Sequence, residues 1–314
     1  MKTDIGTNIG GLEFETCIFN TSGPNDETLP LLEKIARSES SAITMKSCTL
    51  EPREGNPLPR YFDVEGGVSI NSMGLPNEGY KNYVQYTHIL KKKYKNKPII
   101  ASICGMTLED NITMFKAFNN SDADIIEFNP GSPNTIGKPI VGYDYDEMDR
   151  QLKVVAKLSK KPLGVKLPPY FDFVHFEKMA KVLRKYPIDY IACINSVGNA
   201  LVIDPEKEAP VIKPKGGFGG LGGRYIKYTA LANVRKFYEL VGDKIKIVGV
   251  GGVLTGIDIF EFILAGASAV QVGTAYMQEG PKCFPRLQKE LRSYMQKKGY
   301  KKLNDFKGKL KEYI

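Results

Sequence analysis

Two asparagines and a serine at the end of a strand-like run form the most chemically distinctive segment of the sequence. The run covers 124–128, and Asn129, Ser132 and Asn134 follow it among two prolines and a glycine. This pattern predicts a strand that delivers polar side chains to a loop, where catalytic residues of α/β proteins commonly lie. The amides can donate and accept hydrogen bonds, and the hydroxyl can take up a proton in suitable surroundings. Taken alone, the segment is equally typical of an ordinary turn.

Polar residues also follow other apolar runs. Lys46-Ser47, Lys166 and Asn195-Ser196 each stand at the end of such a run, and Asn71 lies in a loop. Because the carboxyl ends of barrel strands converge on one face, we expect these side chains to line one pocket. Two lysines and four asparagines suit a planar, amide-rich anion. Asparagines can match the C=O and N–H edges of a pyrimidine ring, and a lysine can neutralise a carboxylate or an electron-rich cofactor.

Glycines near the end of the sequence predict a phosphate site. The stretches 248–253 and 270–275 each place glycine between an apolar run and a predicted helix. Missing side chains expose backbone N–H groups, a helix N-terminus adds a favourable dipole, and barrels often hold phosphate after strands seven and eight. A third stretch, 216–223, is predicted to be flexible, either lying against a phosphate or a ring or forming a mobile surface loop.

Short β-rich runs alternate along the chain with longer segments of helical period. The predicted strands are Cys17–Ser22, Ala42–Lys46, Pro98–Ile103, Ile125–Asn129, Leu163–Leu167, Tyr190–Asn195, Lys246–Val250 and Ala269–Gly273. The predicted helices lie near 26–38, 77–95, 107–119, 145–160, 173–185, 227–240, 256–265 and 282–298. Eight strand–helix units favour an α/β fold of the (β/α)8 TIM-barrel type. A doubly wound sheet is the less favoured alternative, because no GxGxxG motif follows the first strand.

Two insertions rich in glycine and proline interrupt the alternation, at about 50–76 and 199–224. Each follows the C-terminal end of a predicted strand, which is the face on which barrel enzymes build their sites. Long loops there commonly serve as lids or binding walls. Since we find no repeat, low-complexity tract or linker, 1–314 is predicted to form a single domain.

Composition argues against several classes of function. The 314 residues are 42% hydrophobic, with no run long enough to span a bilayer and no signal-like start, so a soluble protein is expected. Five widely spaced cysteines without a CxxC pair favour a reducing cytoplasm over disulfides or zinc, and two histidines argue against a multi-histidine metal site or a histidine triad. Much of the net charge of +9 lies in lysine runs that are typical of solvated helix faces rather than of a nucleic-acid-binding module.

The sequence resembles the class 1A dihydroorotate dehydrogenases, the soluble flavin enzymes of pyrimidine synthesis, nearly from end to end. The matching stretches include Asn20-Thr21-Ser22-Gly23, Lys46-Ser47, Gly55-Asn56-Pro57, Pro59-Arg60-Tyr61, 69–77, 164–172, 195–199, 217–223, 229–234 and 249–252. The resemblance implies a barrel that holds FMN at its C-terminal face and transfers a hydride from dihydroorotate to the flavin. It further implies that fumarate reoxidises the flavin in the same pocket and that the protein is a homodimer.

The resemblance also assigns residues to each ligand. Around orotate it places Lys46, Asn71, Met73, Gly74, Leu75, Asn129, Asn134, Asn195 and Ser196. Around FMN it places Ser22, Gly23, Lys46, Ser47, Asn129, Lys166, Gly222, Gly223, Gly251, Gly252, Gly273 and Thr274. Lys166 suits a catalytic role, since its charge can stabilise the negative charge of the reduced flavin.

The sequence departs from this family at the position of the base. Class 1 members carry Asn-Leu-Ser-Cys-Pro-Asn, with the cysteine taking a proton from dihydroorotate, whereas 129–134 read Asn-Pro-Gly-Ser-Pro-Asn here. A free cysteine has a pKa of ~8.5, but a serine hydroxyl is a far weaker acid and must lose its proton through a network or a bound water. Because class 2 members use serine, we expect Ser132 to be the catalytic base.

The resemblance leaves the subclass and the substrate partly open. Quinone-linked class 2 members have a hydrophobic N-terminal extension that the sequence lacks, and NAD-linked class 1B members need an iron–sulfur subunit that one chain does not reveal. One alternative is a related flavin oxidoreductase that acts on another dihydropyrimidine-like compound. Another is a catalytically silent protein that binds flavin or orotate.

Overall fold

A computed structural model describes residues 3–135, 137 and 139–312. Its parallel strands are β1 (Ile18–Asn20), β2 (Ile43–Thr44), β3 (Ile99–Ile103), β4 (Ile125–Phe128), β5 (Leu163–Leu167), β6 (Tyr190–Cys193), β7 (Lys246–Val250) and β8 (Ala269–Val272). The main helices are α1 (Leu29–Ala36), α2 (Tyr80–Lys93), α3 (Leu108–Asn119), α4 (Tyr145–Leu158), α5 (Phe173–Leu183), α6 (Lys227–Val241), α7 (Gly256–Ala265) and α8 (Cys283–Lys297). The strands form one sheet in the order β1-β8-β7-β6-β5-β4-β3-β2, so the predicted (β/α)8 fold class is confirmed.

The barrel strands are buried on both faces, which explains why they appear in the sequence as nearly continuous apolar runs. Every residue of β3 and of β5 is buried, as expected for a parallel sheet that helices cover. Two of the polar exceptions are Glu127 in β4 and Gln271 in β8, both fully buried. Gln271 donates to Glu127 at 3.0 Å although three strands separate β8 from β4 in the sheet. These two side chains therefore lie inside the barrel.

A side chain joins the two ends of the sheet, β1 and β2. Asn20 at the end of β1 is fully buried. Its Nδ2 donates to the Thr44 carbonyl at 2.7 Å, and its Oδ1 accepts from the Thr44 N–H at 2.9 Å. Ser41 adds a backbone and a hydroxyl donor to the Ile18 carbonyl, each at 3.0 Å. Because buried backbone groups need partners, these bonds close the barrel where β2 is only two residues long.

A hairpin closes the opposite, amino-terminal end of the barrel. Its strands, Thr7–Ile9 and Leu12–Phe14, pair antiparallel. The Phe14 ring packs on Phe19 of β1 with 5.5 Å between the ring centroids. The Lys246 ammonium at the start of β7 donates to the Asn8 carbonyl at 2.5 Å. The hairpin therefore covers the amino-terminal end of the barrel.

A four-stranded antiparallel sheet lies over the carboxyl end of the barrel. Its order is Val197–Leu201, Phe218–Gly223, Val68–Asn71 and Tyr61–Val64, and we call it the covering sheet. Its strands come from the two predicted insertions. The prediction that 216–223 is flexible is wrong for Phe218–Gly223, because this strand pairs on both sides with strands distant in sequence. Its glycines suit this packing: a Cβ on Gly220 would stand 2.2 Å from the Ser196 hydroxyl.

Most element boundaries differ from the predicted ones by one to a few residues. The helix Thr274–Glu279 and the short hairpin Ile203–Asp204 with Ala209–Pro210 were not predicted. No helix in the described part of the chain has the length and apolar character needed to cross a membrane. Two helices begin at capping boxes, in which Thr107 pairs with Asp110 and Thr255 with Asp258. These caps fix the starts of α3 and α7.

Candidate active site

A cavity of about 270 Å³ lies between the covering sheet and the carboxyl ends of β1, β2 and β4 to β8. The predicted site residues that line it are Ser22, Gly23, Lys46, Ser47, Asn71, Met73, Leu75, Asn129, Ser132, Asn134, Lys166, Asn195, Ser196, Gly222, Gly223, Gly251, Gly252, Gly273 and Thr274. The structure thus brings together residues that are up to 252 positions apart in sequence, from Ser22 to Thr274. Their individual roles stay predictions.

Gly74 is the predicted site residue that does not line this cavity. Its backbone has a φ of 74°, and a Cβ there would lie 2.3 Å from the Asn56 side-chain oxygen. Asn56 in turn donates to the carbonyls of Ser72 and Asn134 at 2.9 and 3.1 Å. We conclude that Gly74 permits a close packing contact that supports the loop holding Met73 and Leu75.

Several residues of the cavity were missed from sequence. They are Thr21, Pro24, Asn25, Glu27, Tyr61, Ser69, Ile194, Ile226, Val250, Val253, Gln271 and Met277. Gln271 could have been found from sequence, because it is a polar residue within the apolar run 269–272, and a buried polar side chain needs a hydrogen-bond partner inside the protein. Tyr61 and Ser69 gave no comparable signal, since they belong to the covering sheet, whose pairing the sequence did not reveal.

Asn134, the second asparagine of the segment 129–134, faces the first insertion. Asn134 Nδ2 donates to Asn71 Oδ1 at 2.8 Å, and Asn71 Nδ2 donates to the Gly220 carbonyl at 3.2 Å. The Asn134 N–H donates to the Ser132 hydroxyl at 3.3 Å. Asn134 Oδ1 is buried and accepts no hydrogen bond from the described residues. A buried acceptor beside a cavity is suited to an N–H group of a ligand.

Hydroxyl groups form a second cluster beneath Asn129. Ser47 Oγ lies 3.0 Å from Ser22 Oγ and 2.8 Å from Ser102 Oγ, and Asn129 Nδ2 donates to it at 3.1 Å. The Ser47 N–H also donates to Ser22 Oγ at 2.8 Å. These bonds fix the ends of β1, β2 and β4 relative to one another.

Lys46 lies among carboxylates. Its ammonium donates to the Gly23 carbonyl and to Glu27 Oε1 at 3.3 Å, and it is 3.8 Å from Asp26 Oδ1. Asp26 is fully buried and accepts from the Gly23 N–H at 2.9 Å. Burial raises the pKa of the Asp26 carboxyl to about 7, although the Lys46 charge lowers it. An anionic ligand at Lys46 therefore competes with Glu27, whose side chain is partly exposed.

Lys166 is a buried cation at the floor of the cavity. Its Nζ donates to the Thr21 hydroxyl at 2.8 Å and to the Ser22 carbonyl at 3.3 Å. Burial lowers the pKa of the Lys166 ammonium, while the charges of Glu127 and Asp26 raise it. Both acceptors are uncharged, so the positive charge is available to a ligand above them.

Glycines after β7 line another part of the cavity wall. Gly251 and Gly252 have φ values of 124° and 71°, and a Cβ on Gly252 would lie 2.9 Å from the Gly223 carbonyl. Asp258 takes the N–H groups of Leu254 and Thr255, just before α7, at 2.9 and 2.7 Å, and the predicted contribution of the α7 N-terminus to a phosphate site stays a prediction. The glycine loop before the helix, rather than the helix itself, thus borders the cavity.

The histidines and cysteines lie outside this site. His88 is on α2 and His175 on α5, and all five cysteines are buried and form no disulfide bond. Within 3–135, 137 and 139–312, no group of three or more His, Cys, Asp or Glu side chains is arranged to hold a metal ion.

Residues 5–295 match the family model described as dihydroorotate dehydrogenase. The chain belongs to this family. It is 50% identical to dihydroorotate dehydrogenase A (fumarate) of Lactococcus lactis subsp. cremoris, covering 98% of this chain and 99% of that protein. It is 47% identical to dihydroorotate dehydrogenase (fumarate) of Saccharomyces cerevisiae, covering 99% of each. The resemblance found from sequence motifs is therefore confirmed.

Solved dihydroorotate dehydrogenase structures share the fold. The ligand-free DHODH of Eimeria tenella superposes with a TM-score of 0.84 at 21% identity, covering 98% of this chain and 92% of that one. This likeness supports the barrel assignment alone.

The cavity fits the flavin on which dihydroorotate dehydrogenases depend. The fit is visible in two features: Gly251 and Gly252 line the cavity with backbone and no side chain, and Lys166 places a buried cation at the floor. A phosphate suits the first feature, and a ring that becomes anionic on reduction suits the second.

Proposed function

We propose that the protein oxidises dihydroorotate to orotate in pyrimidine biosynthesis, with FMN as the cofactor and fumarate as the electron acceptor. The observation that carries this proposal is the convergence of the predicted asparagines, lysines and glycines on one cavity. The protein that forms this cavity is 50% identical in sequence to a protein named dihydroorotate dehydrogenase A (fumarate). The function is thus inferred from the site and the relatives together rather than from the fold.

Substrate binding is assigned to the amide-rich end of the cavity. Asn134 Oδ1, which lacks a partner among the described residues, is expected to accept an N–H of the dihydroorotate ring. Asn71 holds the Asn134 side chain in place through the 2.8 Å bond. Asn129, Asn195 and their neighbours supply further donors and acceptors, and the Lys46 charge can neutralise the substrate carboxylate.

Cofactor binding is assigned to the remaining wall. Ser22, Ser47 and Lys166 are expected to face the flavin ring, while Gly251, Gly252, Gly273 and Thr274 hold its phosphate. When bound, FMN supplies the two-electron acceptor that the oxidation requires. Lys166 stabilises negative charge in the cavity, because its own protein partners are neutral oxygens.

Ser132 is the proposed base. Dihydroorotate must lose a proton and a hydride from adjacent ring carbons, and the Ser132 oxygen can accept that proton as its own hydroxyl proton passes to water. Among the described residues, the hydrogen bond found at this hydroxyl comes from the Asn134 N–H, which stabilises the deprotonated oxygen. Since no carboxylate or imidazole bonds to Ser132 in the described part of the chain, proton removal depends on solvent and is favoured at high pH.

We further infer a cytoplasmic homodimer in which 1–314 forms one domain. The class 1A resemblance supports the dimer, and five cysteines without a disulfide bond are typical of a reducing compartment. Small molecules rather than nucleic acid or membranes are the expected partners.

Stopped-flow spectroscopy of the purified, FMN-loaded protein tests this function. We expect dihydroorotate to bleach the flavin absorbance without oxygen and fumarate to restore it. A yellow protein that another dihydropyrimidine bleaches, but dihydroorotate does not, would refute the substrate assignment. A colourless protein that binds orotate tightly would instead indicate a silent binding protein.

A further inference from the structure

A chain of hydrogen bonds crosses the barrel beneath the cavity. The Lys166 ammonium donates to the Thr21 hydroxyl at 2.8 Å, and Thr21 donates to Gln271 Oε1 at 3.1 Å. Gln271 Nε2 then donates to Glu127 Oε2 at 3.0 Å, and the Tyr190 hydroxyl donates to the same oxygen at 2.9 Å. Every donor in this chain points toward Glu127. The chain therefore connects the cavity floor to one buried carboxylate in a single direction.

Glu127 is a costly residue at this position. Its side chain is fully buried and its Oε1 accepts no hydrogen bond from the described residues. A neutral amide could accept the same bonds, so hydrogen bonding alone does not call for a carboxylate, and a buried charge needs an opposite charge. The opposite charge at the other end of the hydrogen-bond chain is Lys166, three hydrogen bonds away; burial lowers its pKa and the Glu127 charge raises it.

The local sequence is built to keep this chain intact. Gly164 of β5 is the register partner of Glu127. A Cβ on Gly164 would lie 2.2 Å from the Tyr190 ring and 2.5 Å from its hydroxyl oxygen. The missing side chain therefore provides the space through which Tyr190 reaches Glu127.

Building on the proposed function, we propose that Glu127 is a positioning residue that sets the reduction potential of the bound FMN. It does not line the cavity. Instead, it orients Gln271 and Thr21 and supplies the buried negative charge that keeps Lys166 cationic beneath the flavin. The charge of Glu127 and the charge of Lys166 then act on the flavin in opposite directions.

The proposal predicts a pH-dependent signature for Glu127→Gln. The charged groups that face Lys166 are Glu127 from β4, Asp26 from the loop between β1 and α1, and Lys46 after β2. While Lys166 is protonated, loss of the carboxylate charge favours the reduced flavin, on the order of tenfold in the ratio of reduced to oxidised FMN. Without its counter-charge, Lys166 loses its proton at lower pH than in the parent. Because Lys166 lines the cavity and Glu127 does not, the loss of the Lys166 charge outweighs the loss of the Glu127 charge, and the potential of the variant then falls below that of the parent.

The experiment is a redox titration of the FMN-loaded protein with a chemical reductant and a reference dye, from pH 6 to pH 9. Because the reductant replaces dihydroorotate, the readout does not depend on the substrate. We expect the midpoint potential of Glu127→Gln to be more positive than that of the parent at pH 6, by about 30 mV for a tenfold change in a two-electron couple, and to fall below the parent value as pH rises. Tyr190→Phe is the matched control, since it removes one bond to Glu127 but keeps the charge. We expect Tyr190→Phe to lower thermal stability and to leave the ratio of reduced to oxidised FMN, at a given potential, within about threefold of that of the parent.

The outcomes separate this proposal from the proposed function. Equal shifts in Glu127→Gln and Tyr190→Phe, or none in either, would overturn the role of Glu127 even if dihydroorotate bleaches the flavin. A shift confined to Glu127→Gln supports the role even if dihydroorotate fails as a substrate. A protein that holds no FMN overturns both. If Glu127→Gln does not fold, Glu127→Met removes the same charge with a side chain of similar length, and a potential equal to that of the parent at pH 6 in that variant refutes the proposal.

Discussion

Removal of the Asn20 amide tests how the barrel is closed. In Asn20→Ala, the N–H and the carbonyl of Thr44 lose their partners at 2.9 and 2.7 Å. Asn20 and Thr44 are fully buried, so water cannot readily replace the amide. An unsatisfied buried group costs about 1–3 kcal/mol, so we expect the free energy of unfolding to fall by about 2–6 kcal/mol. Thr21 and Ser22 follow Asn20 directly, and we expect FMN affinity to fall as well.

The assay is urea unfolding followed by circular dichroism, at a fixed excess of FMN because a bound ligand raises apparent stability. Asn119→Ala is a matched control. Asn119 also donates to one carbonyl, that of Leu158 at 2.8 Å, and accepts from one N–H, that of Lys160 at 2.9 Å. These groups lie near the surface, where water can replace the amide, so we expect a loss of about 1 kcal/mol or less. The reasoning is refuted if Asn20→Ala costs no more than Asn119→Ala.

Three further predictions concern the site. Ser132→Ala should slow flavin reduction by dihydroorotate at pH 7 by about 100-fold or more, and Ser132→Cys should accelerate it because a thiol is more readily deprotonated. Both rates are measured by stopped-flow spectroscopy. An alanine variant that reduces the flavin as fast as the parent would exclude Ser132 as the base. Gly252→Ala should weaken FMN binding at least about tenfold in fluorescence titrations, because the new Cβ meets the Gly223 carbonyl and the residue has a φ of 71°. Gly299→Ala is the control: its φ is 78° but its Cβ would lie in open space, so it should cost only about 1 kcal/mol of stability. Equal FMN affinities in the two variants would contradict a role of the glycine loop in binding FMN. Because burial raises the pKa of Asp26 to about 7, the unfolded chain releases its proton first, so the urea midpoint should fall as pH rises from about 4 to about 7. A slope just as steep in Asp26→Asn would assign this pH dependence to other groups.

The sequence by itself determined the elements of the barrel. Strand-like runs such as 99–103 and 163–167 could be read locally, because a buried parallel strand needs apolar residues along its whole length. Residues at the ends of these runs, including Asn129 and Lys166, could be assigned to one pocket, since all strand ends of a barrel meet on one face.

Only the tertiary structure decided how the ends of the strands are covered and connected. The sequence predicts a flexible glycine segment at Phe218–Gly223, because the two strands that pair with it, Val68–Asn71 and Val197–Leu201, are not adjacent to it in the chain. The resemblance assigns Gly74 to the ligand, which stays a prediction, whereas only the structure shows that its lack of a side chain permits packing against Asn56. The sequence did not indicate a role for Glu127, since its partners Tyr190 and Gln271 are 63 and 144 residues away in the chain. Local patterns record whether a residue is buried, whereas the partner that a buried polar group finds across the barrel depends on the closed fold.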